Sequence, residues 1–345
     1  MRALDLIVRA LTRRSVRSLF QPVVRGRATI FMLHRIARPE LNIGGHTVEF
    51  VREALRELRE SGARFVSMRE IVEESLTGSG SSQGTVAFTI DDGFADQAEL
   101  AREAFVAERC PVTIFLISGF LDGRLWPWDD RLAYILASST LAELEVSVAG
   151  ERLRLSLESP LQRSQSLQKL RNRCKTVSNS GLYELVDEIA ARAGVSLPAQ
   201  PPPAYRPMSW DEARALEPLG VELAPHSVSH RIFSQLTAEE ARAEIVESWQ
   251  RLRQELRNPL PLFAWPTGRA SDYTDRDLGL LREAGLSVCA SAVGDYAYIG
   301  RQEALAHGVR VLARFSFPSN VRDVLQYGSW IERGKGIVRD ALTGR

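Results

Sequence analysis

The sequence predicts an α/β protein whose parallel sheet is curled into a barrel and covered by helices. Short apolar segments rich in β-forming residues alternate with amphipathic helical segments from residue 28 onward. The strand segments are apolar throughout, which is typical of parallel strands that are buried on both faces. About seven such strand–helix units recur along the chain, and that number favours a barrel over an open sheet.

Local signals justify each element in turn. Strands are predicted where an apolar run ends at polar or turn-forming residues, and helices where an amphipathic run follows an N-cap such as Thr47 or Thr237. The predicted strands are residues 28–33, 64–66, 85–90, 112–117, 221–223, 262–265, 286–289 and 309–313. The predicted helices are residues 48–61, 68–76, 95–108, 211–216, 238–256 and 275–284.

The alternation fails between residues 121 and 207. Residues 144–157 alternate between apolar and polar around Ala149 and Gly150, which predicts a β-hairpin. Residues 161–177 and 182–193 have helical patterns, and a proline-rich linker at 198–203 leads back to the main pattern. We therefore predict a helical and hairpin insertion at about 121–207 within a barrel domain that covers residues 28–345.

Composition narrows the classes of function. The chain has 345 residues, is 44% hydrophobic and has a net charge of +1, so no overall field favours nucleic acid as a partner. Cys110, Cys174 and Cys289 are odd in number and widely spaced, which is typical of a reducing compartment. No apolar run is long enough to span a bilayer, and Arg9 interrupts the N-terminal run that a signal peptide would need. We predict a cytoplasmic protein.

The basic segment 1–27 has two interpretations. It holds seven arginines and one aspartate, and its apolar residues lie at helical spacing opposite the arginines. The apolar set is Leu4, Ile7, Val8 and Leu11, and the basic set is Arg2, Arg9, Arg13 and Arg17. Such a helix fits peripheral association with an anionic membrane surface, on its inner face. A terminal helix that packs against the fold is the alternative.

Titratable residues follow the ends of several predicted strands. Asp91 and Asp92 follow strand 85–90, His226 and His230 follow strand 221–223, and His34 follows strand 28–33. In parallel barrels the reacting groups lie at these carboxyl ends of the strands. Two imidazoles and one carboxylate can hold a divalent ion with open coordination positions, and the second carboxylate is then a base. The pattern predicts metal-assisted hydrolysis of an amide or ester.

Other interpretations of these residues stay open at this point. The aspartates fit an N-cap pair on a surface turn, and the histidines fit solvent-exposed or core positions. Two histidines and a carboxylate also form the iron(II) site of some oxygenases, although those sites usually lie on all-β folds. A carbohydrate-binding module without catalysis is a further alternative, but binding alone needs no spare carboxylate. The N–H group of Gly93 or of a neighbouring residue is a candidate donor to an oxyanion.

Five segments resemble motifs of the polysaccharide deacetylases of carbohydrate esterase family 4, the family that includes nodulation-factor chitooligosaccharide deacetylases. Residues 89–93 (TIDDG) resemble T-F-D-D-G, residues 226–230 (HSVSH) resemble H-[ST]-x-x-H, and residues 263–268 (FAWPTG) resemble F-x-Y-P-x-G. Residues 31–36 (FMLHRI) resemble the Y-H-R-[IV] segment of many members, and residues 126–133 (WPWDDRLA) resemble a segment of members with an insertion. The resemblance covers about residues 28–318.

This resemblance implies a fold, a reaction and a set of residues. The fold is a distorted (β/α)7 barrel, similar to a TIM barrel. Asp91 is the implied general base, and Asp92, His226 and His230 are the implied ligands of zinc or a similar divalent ion. The reaction is removal of an N-acetyl group from an amino sugar of a polysaccharide, an oligosaccharide or a lipid-linked glycan precursor, as in exopolysaccharide biosynthesis. A deformylase of a lipid-linked amino sugar is the alternative.

The sequence also departs from the family pattern. The arginine that precedes the third motif in many members is missing, with Leu262 and Phe263 nearby instead. The late L-x-x-H motif, whose histidine protonates the leaving amine, has no clear match, so His34 or His307 is expected to replace it, or Arg314 to stabilise the transition state. The expected substrate contacts are Trp128, Trp265, Thr267 and Gly268. For both tryptophans a packed core position is the alternative.

Overall fold

The structure is a computed structural model that describes residues 3–39, 43–78, 84–177, 181–300 and 305–343. The strands are β1 (Arg27–Leu33), β2 (Arg64–Phe65), β3 (Thr85–Asp92), β4 (Thr113–Leu116), β5 (Glu143–Val148), β6 (Glu151–Ser156), β7 (Glu222–Pro225), β8 (Phe263–Ala264), β9 (Val288–Ala290), β10 (Ala297–Tyr298), β11 (Arg310–Leu312) and β12 (Phe315–Ser316). The helices are α1 (Ala3–Leu11), α2 (Arg14–Leu19), α3 (Val48–Glu60), α4 (Met68–Thr77), α5 (Ala95–Leu100), α6 (Ser118–Leu121), α7 (Trp128–Ser138), α8 (Pro160–Cys174), α9 (Leu182–Arg192), α10 (Trp210–Arg214), α11 (Ala238–Glu255), α12 (Asp275–Glu283), α13 (Val321–Tyr327) and α14 (Ile331–Thr343).

Parallel strands form the barrel wall in two sheets. In the first sheet β1, β3, β4 and β7 are neighbours in that order, and in the second β8, β9 and β11 are neighbours. A hydrogen bond from the Leu260 N–H to the Leu223 carbonyl, 2.8 Å long, links the two sheets between β7 and β8. The predicted α/β barrel with seven principal strands is therefore confirmed.

The segment of residues 310–316 closes the barrel. Its first part, β11, pairs with β9 through Val311 and Cys289, and its last part, β12, pairs with β1 through Phe315 and Phe31. The segment thus connects the edges of both sheets, and Arg314 lies between the two pairings. The strands β10 and β12 are each two residues long, and the sequence predicted neither of them.

Strand β3 is longer than predicted. It includes both aspartates, because Asp91 pairs with Phe115 and Asp92 with Leu116 of β4. Asp92 has a φ of 101°, which is unusual for a residue with a side chain. The next residue, Gly93, has a φ of 90°, and a Cβ there would approach Leu121 Cδ1 to 2.8 Å. Only glycine fits this turn, and the two carboxylates are thereby held at the end of the strand.

Helix starts follow the capping signals. The Thr47 hydroxyl accepts a hydrogen bond from the Phe50 N–H, and Thr237 and Glu240 form a complete capping box at the start of α11. Both predicted N-caps are confirmed. The predicted helix 95–108 differs, because it is α-helical only to Leu100 and continues as a π-helical segment, Ala101–Val106.

The interval 121–207 contains the predicted hairpin and helices. β5 and β6 pair around Ala149 and Gly150, which have φ values of 51° and 77° and form the tight turn. α8 and α9 follow, and α7 precedes them without having been predicted. These elements share their own apolar cluster, which includes Leu136, Val146, Leu170 and Val186. The division of the chain into an N-terminal segment, a barrel and an insertion stays a prediction.

The N-terminal helix both packs against the fold and exposes apolar side chains. Val8 is buried in the main core, and the Leu11 carbonyl accepts a hydrogen bond from Trp330 Nε1. The expected basic face is not regular, since Arg17 is buried and donates to the Gly84 carbonyl at 2.7 Å; Arg2 lies outside the described residues. Exposed apolar side chains near the two termini include Leu4, Leu6, Ile7, Leu11, Ile337, Val338 and Leu342. Among the described helices, none is long and apolar enough to cross a membrane.

Candidate active site

Three side chains from two strand ends converge at the carboxyl end of the barrel. Asp92 Oδ1 lies 3.6 Å from His226 Nε2 and 3.5 Å from His230 Nε2. One ligand atom from each residue lies within 4.8 Å of the other two, and all three residues are buried. We call Asp92, His226 and His230 the donor cluster. Its one carboxylate and two imidazoles have the spacing of ligands around one ion.

Neighbouring groups orient both imidazoles of the donor cluster. His226 Nδ1 lies 2.8 Å from the Ala264 carbonyl oxygen, to which it donates, so its Nε2 lone pair faces Asp92. His230 Nδ1 lies 3.6 Å from Asp129 Oδ1, and Trp128 Nε1 donates to the His230 carbonyl at 3.2 Å. Partners of this kind fix the orientation of histidine ligands in metal sites.

The donor cluster fits a divalent cation. Burial lowers the pKa of His230, but the carboxylates of Asp129 and Asp92 outweigh burial and raise the pKa to about 9. The cluster therefore favours positive charge at this point. Mixed nitrogen and oxygen donors suit zinc and similar borderline ions. These residues therefore fit the divalent ion that the resemblance implies.

A glutamate from α11 shapes the loop that carries the histidines. Glu244 Oε2 accepts hydrogen bonds from the N–H groups of Val228 and Ser229, at 2.8 and 2.9 Å. Ser227 and His230 both have positive φ values, 67° and 54°, and the Ser227 hydroxyl accepts from the His230 N–H. This backbone is strained, and Glu244 holds it. The sequence did not indicate a role for Glu244, because it lies within an ordinary amphipathic helix.

Asp91 is held by Arg314 rather than by any ligand of the donor cluster. The guanidinium donates from Nη1 to Asp91 Oδ1 at 2.7 Å and from Nη2 to Oδ2 at 2.8 Å. Burial by itself raises the pKa of Asp91, but the charge of Arg314, followed by His226, outweighs it and lowers the pKa to about 2. Asp91 is thus a buried and ionised carboxylate next to the donor cluster.

This ion pair corrects two expectations. The sequence lacks the arginine that precedes the third motif in many members of the family, and Asp91 pairs instead with Arg314 from the segment that closes the barrel. Arg314 was expected to stabilise a transition state, but its guanidinium is fully buried and also donates to Ser291 O and Thr89 Oγ1, each at 3.0 Å. Because these donors are already used, Arg314 is a positioning residue for Asp91.

Gly93 does not supply an oxyanion donor. Its N–H donates to Gln97 Oε1 at 2.9 Å, so the expected role is wrong. Gln97 is fully buried and also donates to the His34 carbonyl at 2.7 Å. It therefore ties the end of β3 to the end of β1, and it is a further residue that the sequence did not indicate.

The site opens into a pocket of about 620 Å³. His34 lies at this pocket and is exposed, as a residue that meets substrate would be. His46, which the sequence analysis did not consider, also lines it and packs against Phe317. His307 lies elsewhere on the surface, 3.2 Å from Asp275, so it does not replace the missing late histidine.

The two tryptophans expected to bind sugar are packed in the core. Trp265 is 1% exposed, and its ring stacks on Tyr273 with 4.7 Å between ring centres. Trp128 is 0% exposed, and its indole N–H is used by the His230 carbonyl. Neither ring offers a free face, so the expected sugar platform is wrong for both. Their positions support the donor cluster instead.

Thr267 and Gly268 differ in their relation to the pocket. Thr267 lines it, and its hydroxyl donates to Asp272. Gly268 lies behind the wall, where a Cβ would approach the Ala292 nitrogen to 2.7 Å. Gly268 therefore allows a close approach of two loops, and the structure does not place it against substrate.

One wall of the pocket comes from the interval 121–207, where the sequence indicated no chemistry. Asp129 and Asp130 begin this wall at the start of α7. Burial raises the pKa of Asp130, and the charge of Asp129 raises it further. Arg171 and Lys175 extend the wall from α8, and Arg269 from the loop after β8 adjoins them. Only Trp128, next to Asp129 in a recognised motif, gave a signal for this region.

The barrel fold is similar to that of known deacetylases. A model of the polysaccharide deacetylase family matches residues 178–289. The matched residues include the second and third motifs, and the match confirms the resemblance there. The comparison with curated proteins gave no match.

Solved structures of deacetylases share the fold. The chain is similar to the deacetylase PplD of Streptococcus pyogenes in complex with acetate, with a TM-score of 0.55, 14% identity, and coverage of 88% of this chain and 98% of that one. It is also similar to IcaB from Ammonifex degensii (TM-score 0.54, 14% identity, coverage 88% and 97%). A de-N-acetylase from Aggregatibacter actinomycetemcomitans gives a TM-score of 0.51 at 14% identity, with coverage of 86% and 99%. At this identity the similarity shows the fold alone.

Proposed function

We propose that the protein is a metal-dependent N-deacetylase that acts on an N-acetylated amino sugar of a glycan. The observation that carries the proposal is an ionised carboxylate, Asp91, held by Arg314 beside the buried donor cluster. A binding module would gain nothing from a second buried carboxylate with its own arginine. The iron(II) oxygenase alternative is not favoured, because the fold is an α/β barrel.

The proposed ion is zinc, and Asp92, His226 and His230 would hold it. When bound, such an ion supplies a Lewis acid that activates water and polarises the amide carbonyl. The Ala264 carbonyl keeps His226 in the orientation that this binding requires, and Asp129 lies 3.6 Å from His230 Nδ1, on the side of the ring away from Asp92.

The remaining steps are assigned to residues of the chain. Asp91 accepts the proton of the attacking water, and Arg314 keeps Asp91 ionised and oriented for that transfer. As the C–N bond of the amide breaks, the leaving amine needs a proton, and His34 is the proposed donor because it is exposed at the pocket. The products are acetate and the free amino sugar.

The test is acetate release from N-acetylglucosamine oligomers by zinc-loaded protein. We expect the wild type to release acetate and Asp91→Asn to release none at equal zinc content. Formate release from an N-formylated sugar, measured in parallel, tests the deformylase alternative. Equal rates for wild type and Asp91→Asn would contradict the proposed base. A wild type that holds one zinc per chain and hydrolyses neither amide would favour the binding module.

We also propose that the terminal helices bring the enzyme to the cytoplasmic face of an anionic membrane, where a lipid-linked glycan precursor would be its substrate. Leu4, Ile7 and Leu11 are 54, 52 and 38% exposed although they are apolar. The ring of Trp330, just before α14, stacks on Phe20 at 3.8 Å, so the exposed apolar residues of α14 begin close to the N-terminal segment. Apolar side chains beside an arginine-rich segment fit anionic headgroups.

Vesicle co-sedimentation tests the membrane proposal. Binding is expected to phosphatidylcholine vesicles that contain phosphatidylglycerol, and less to pure phosphatidylcholine. The double substitution Leu4→Ser and Ile7→Ser is expected to abolish binding, whereas Leu141→Ser, an exposed leucine far along the chain, serves as the matched control. Equal sedimentation of all three proteins with the anionic vesicles would rule the proposal out.

A further inference from the structure

The pocket carries a group of cations that deacetylation does not require. Arg171 belongs to α8, Lys175 is the residue that ends this helix, and Arg269 lies in the loop after β8. We call these three residues the rim cluster. Arg171 and Lys175 are half-buried, and Arg269 is exposed. All three line the same pocket as Asp91 and the donor cluster.

The other cations of the pocket already have carboxylate partners. Arg314 pairs with Asp91 at 2.7 Å, and Arg35 pairs with Asp96 at 3.0 Å. A guanidinium that is neutralised in this way has little to offer an anionic ligand, because its charge and its donors are used.

The rim cluster has no such partner. Within the described part of the chain, no carboxylate oxygen lies within 4.0 Å of its nitrogen atoms. Arg171 donates to the carbonyl oxygen of Asp129 at 3.0 Å, and Arg269 donates to Asn172 Oδ1 at 3.1 Å. Among the described residues the ammonium group of Lys175 has no hydrogen-bond partner, so its three N–H donors are open to solvent or ligand.

The three cations also repel one another. Burial lowers the pKa of Lys175, and the charge of Arg269 lowers it further. Four carboxylates and five lysine or arginine side chains line the pocket, so their net charge is +1. A bound divalent ion would raise this net charge to +3. A fold that collects like charges in a ligand pocket is relieved when an anion binds between them.

We propose that the rim cluster is a subsite for an anionic group of the substrate, a phosphate or a carboxylate attached near the amino sugar that is deacetylated. The inference rests on the proposed function, because the anion and the acetyl group belong to one substrate. Guanidinium and ammonium groups bind both anions through charge-assisted hydrogen bonds. A pocket of about 620 Å³ holds one or two sugar units together with such a group. The helix α8 thereby recognises substrate.

Kinetics with three acetylated substrates distinguish the sources of the anion. The substrates are a neutral N-acetylglucosamine oligomer, N-acetylglucosamine 1-phosphate and a disaccharide of glucuronic acid and N-acetylglucosamine. We expect wild-type kcat/KM to be about tenfold or more higher for one anionic substrate than for the neutral one, since a charge-assisted hydrogen bond is worth about that factor. The substrate that is preferred identifies phosphate or carboxylate.

The variant with Lys175→Gln and Arg269→Gln is expected to lose that preference, with the ratio of anionic to neutral kcat/KM falling about tenfold or more. Lys169→Gln is the matched control, because Lys169 lies on the same helix and is exposed away from the pocket. A ratio that is the same in wild type, double variant and control would overturn the subsite.

A binding measurement separates this inference from the proposed function. Calorimetry of zinc-loaded Asp91→Asn protein with inorganic phosphate requires no turnover. We expect Kd to rise about tenfold or more when Lys175→Gln and Arg269→Gln are added to Asp91→Asn. An unchanged Kd would mean that phosphate binds elsewhere, for example at the zinc, and would overturn the subsite. Phosphate binding that depends on the rim cluster, in a protein that deacetylates no substrate, would keep the subsite and refute the proposed function.

Discussion

The pocket has two halves that come from different parts of the fold. One half consists of the ends of β3 and β7, with Asp91 and the donor cluster; the other consists of α7, α8 and the loop after β8, with Asp129 and the rim cluster. The first half could be located from the sequence, because each of its residues follows an apolar strand. The second half could not, because most of its residues lie on helix faces whose direction depends on packing with β5, β6 and α9.

The difference shows how the two halves divide the work. The strand ends hold charged groups that are buried and fixed by neighbours, as chemistry requires. The helix α8 and the loop after β8 carry half-buried and exposed cations without carboxylate partners, as recognition of a variable substrate requires. Substitutions in the first half should therefore affect the rate on every substrate. Substitutions in the second half should affect the preference among substrates and, more weakly, the affinity for zinc.

The largest effect is expected for Asp91→Asn, which should reduce kcat about a thousandfold or more because the general base is lost. Zinc content should stay that of the wild type, since Asp91 pairs with Arg314 rather than with the donor cluster. The measurement is acetate release together with zinc content from metal analysis. Loss of zinc would show that the roles of Asp91 and Asp92 are reversed.

The next effect concerns the donor cluster. His226→Ala should remove one of three ligands and leave a protein that retains little zinc after dialysis, with activity lost in proportion. His307→Ala, at an exposed histidine outside the pocket, is the control and should bind zinc normally. Full zinc occupancy in His226→Ala would mean that the ion binds elsewhere.

Arg314→Gln should affect both stability and pH dependence. Leaving the Asp91 carboxylate buried without its partner should lower the free energy of unfolding by about 3 kcal/mol. The folded-state pKa of Asp91 is lowered to about 2, so its ion pair stabilises the fold above the unfolded pKa and this stabilisation is lost as the pH falls toward 2. Without Arg314 the pKa rises, and the acid limb of the kcat profile should move to higher pH.

The check is a pH–rate profile and a denaturant titration for wild type, Arg314→Gln and the double variant with Asp91→Asn. The double variant should regain part of the lost stability, because no charge is left unpaired. An acid limb at the same pH in wild type and Arg314→Gln would show that Asp91 does not limit the rate.

His34→Ala should lower kcat about tenfold to a hundredfold without loss of stability, because the side chain is exposed and supports no packing. The alkaline limb of the pH–rate profile should change, since the proposed acid donates its proton to the amine. If the rate and the pH profile of His34→Ala equal those of the wild type, His34 does not protonate the leaving amine.

The smallest effect tests whether the insertion supports the chemistry at all. Asp129→Asn removes the carboxylate beside His230 Nδ1, which should weaken zinc binding about tenfold. Asp187→Asn, at an exposed aspartate of α9, is the matched control. A chelator competition assay measures both. Equal zinc affinity in the two variants would mean that the strand ends bind zinc without help from Asp129. The two halves of the pocket would then act independently.

The parts of the fold that the sequence predicted are those with a periodic pattern. Long strands such as β1 and β3, capped helices such as α3 and α11, and the β5–β6 hairpin all have one, and the structure contains them. The two-residue strands β10 and β12 have none, and the length of β3 depends on pairing with β4, which the local sequence does not encode.

The same reasoning separates the site residues. Asp91, Asp92, His226 and His230 come together because parallel strands place their ends at one side of the barrel. Trp128 and Trp265 were expected to face sugar, but their burial was set by neighbours distant in sequence. Arg314 and Asp91 were each recognised as candidates, but their pairing was not, because the ion pair joins residues that are 223 positions apart.

The pairing of Asp91 depends on Arg314, which lies in a segment that is synthesised late. The strand ends with the donor cluster and Asp91 are complete by residue 230, whereas the arginine that keeps Asp91 ionised is more than eighty positions later in the chain. A truncated chain that ends before residue 310 would contain the donor cluster but would leave Asp91 without its guanidinium partner. The pairing of Asp91 therefore forms only after the segment of residues 310–316 has been synthesised and has joined β9 and β1.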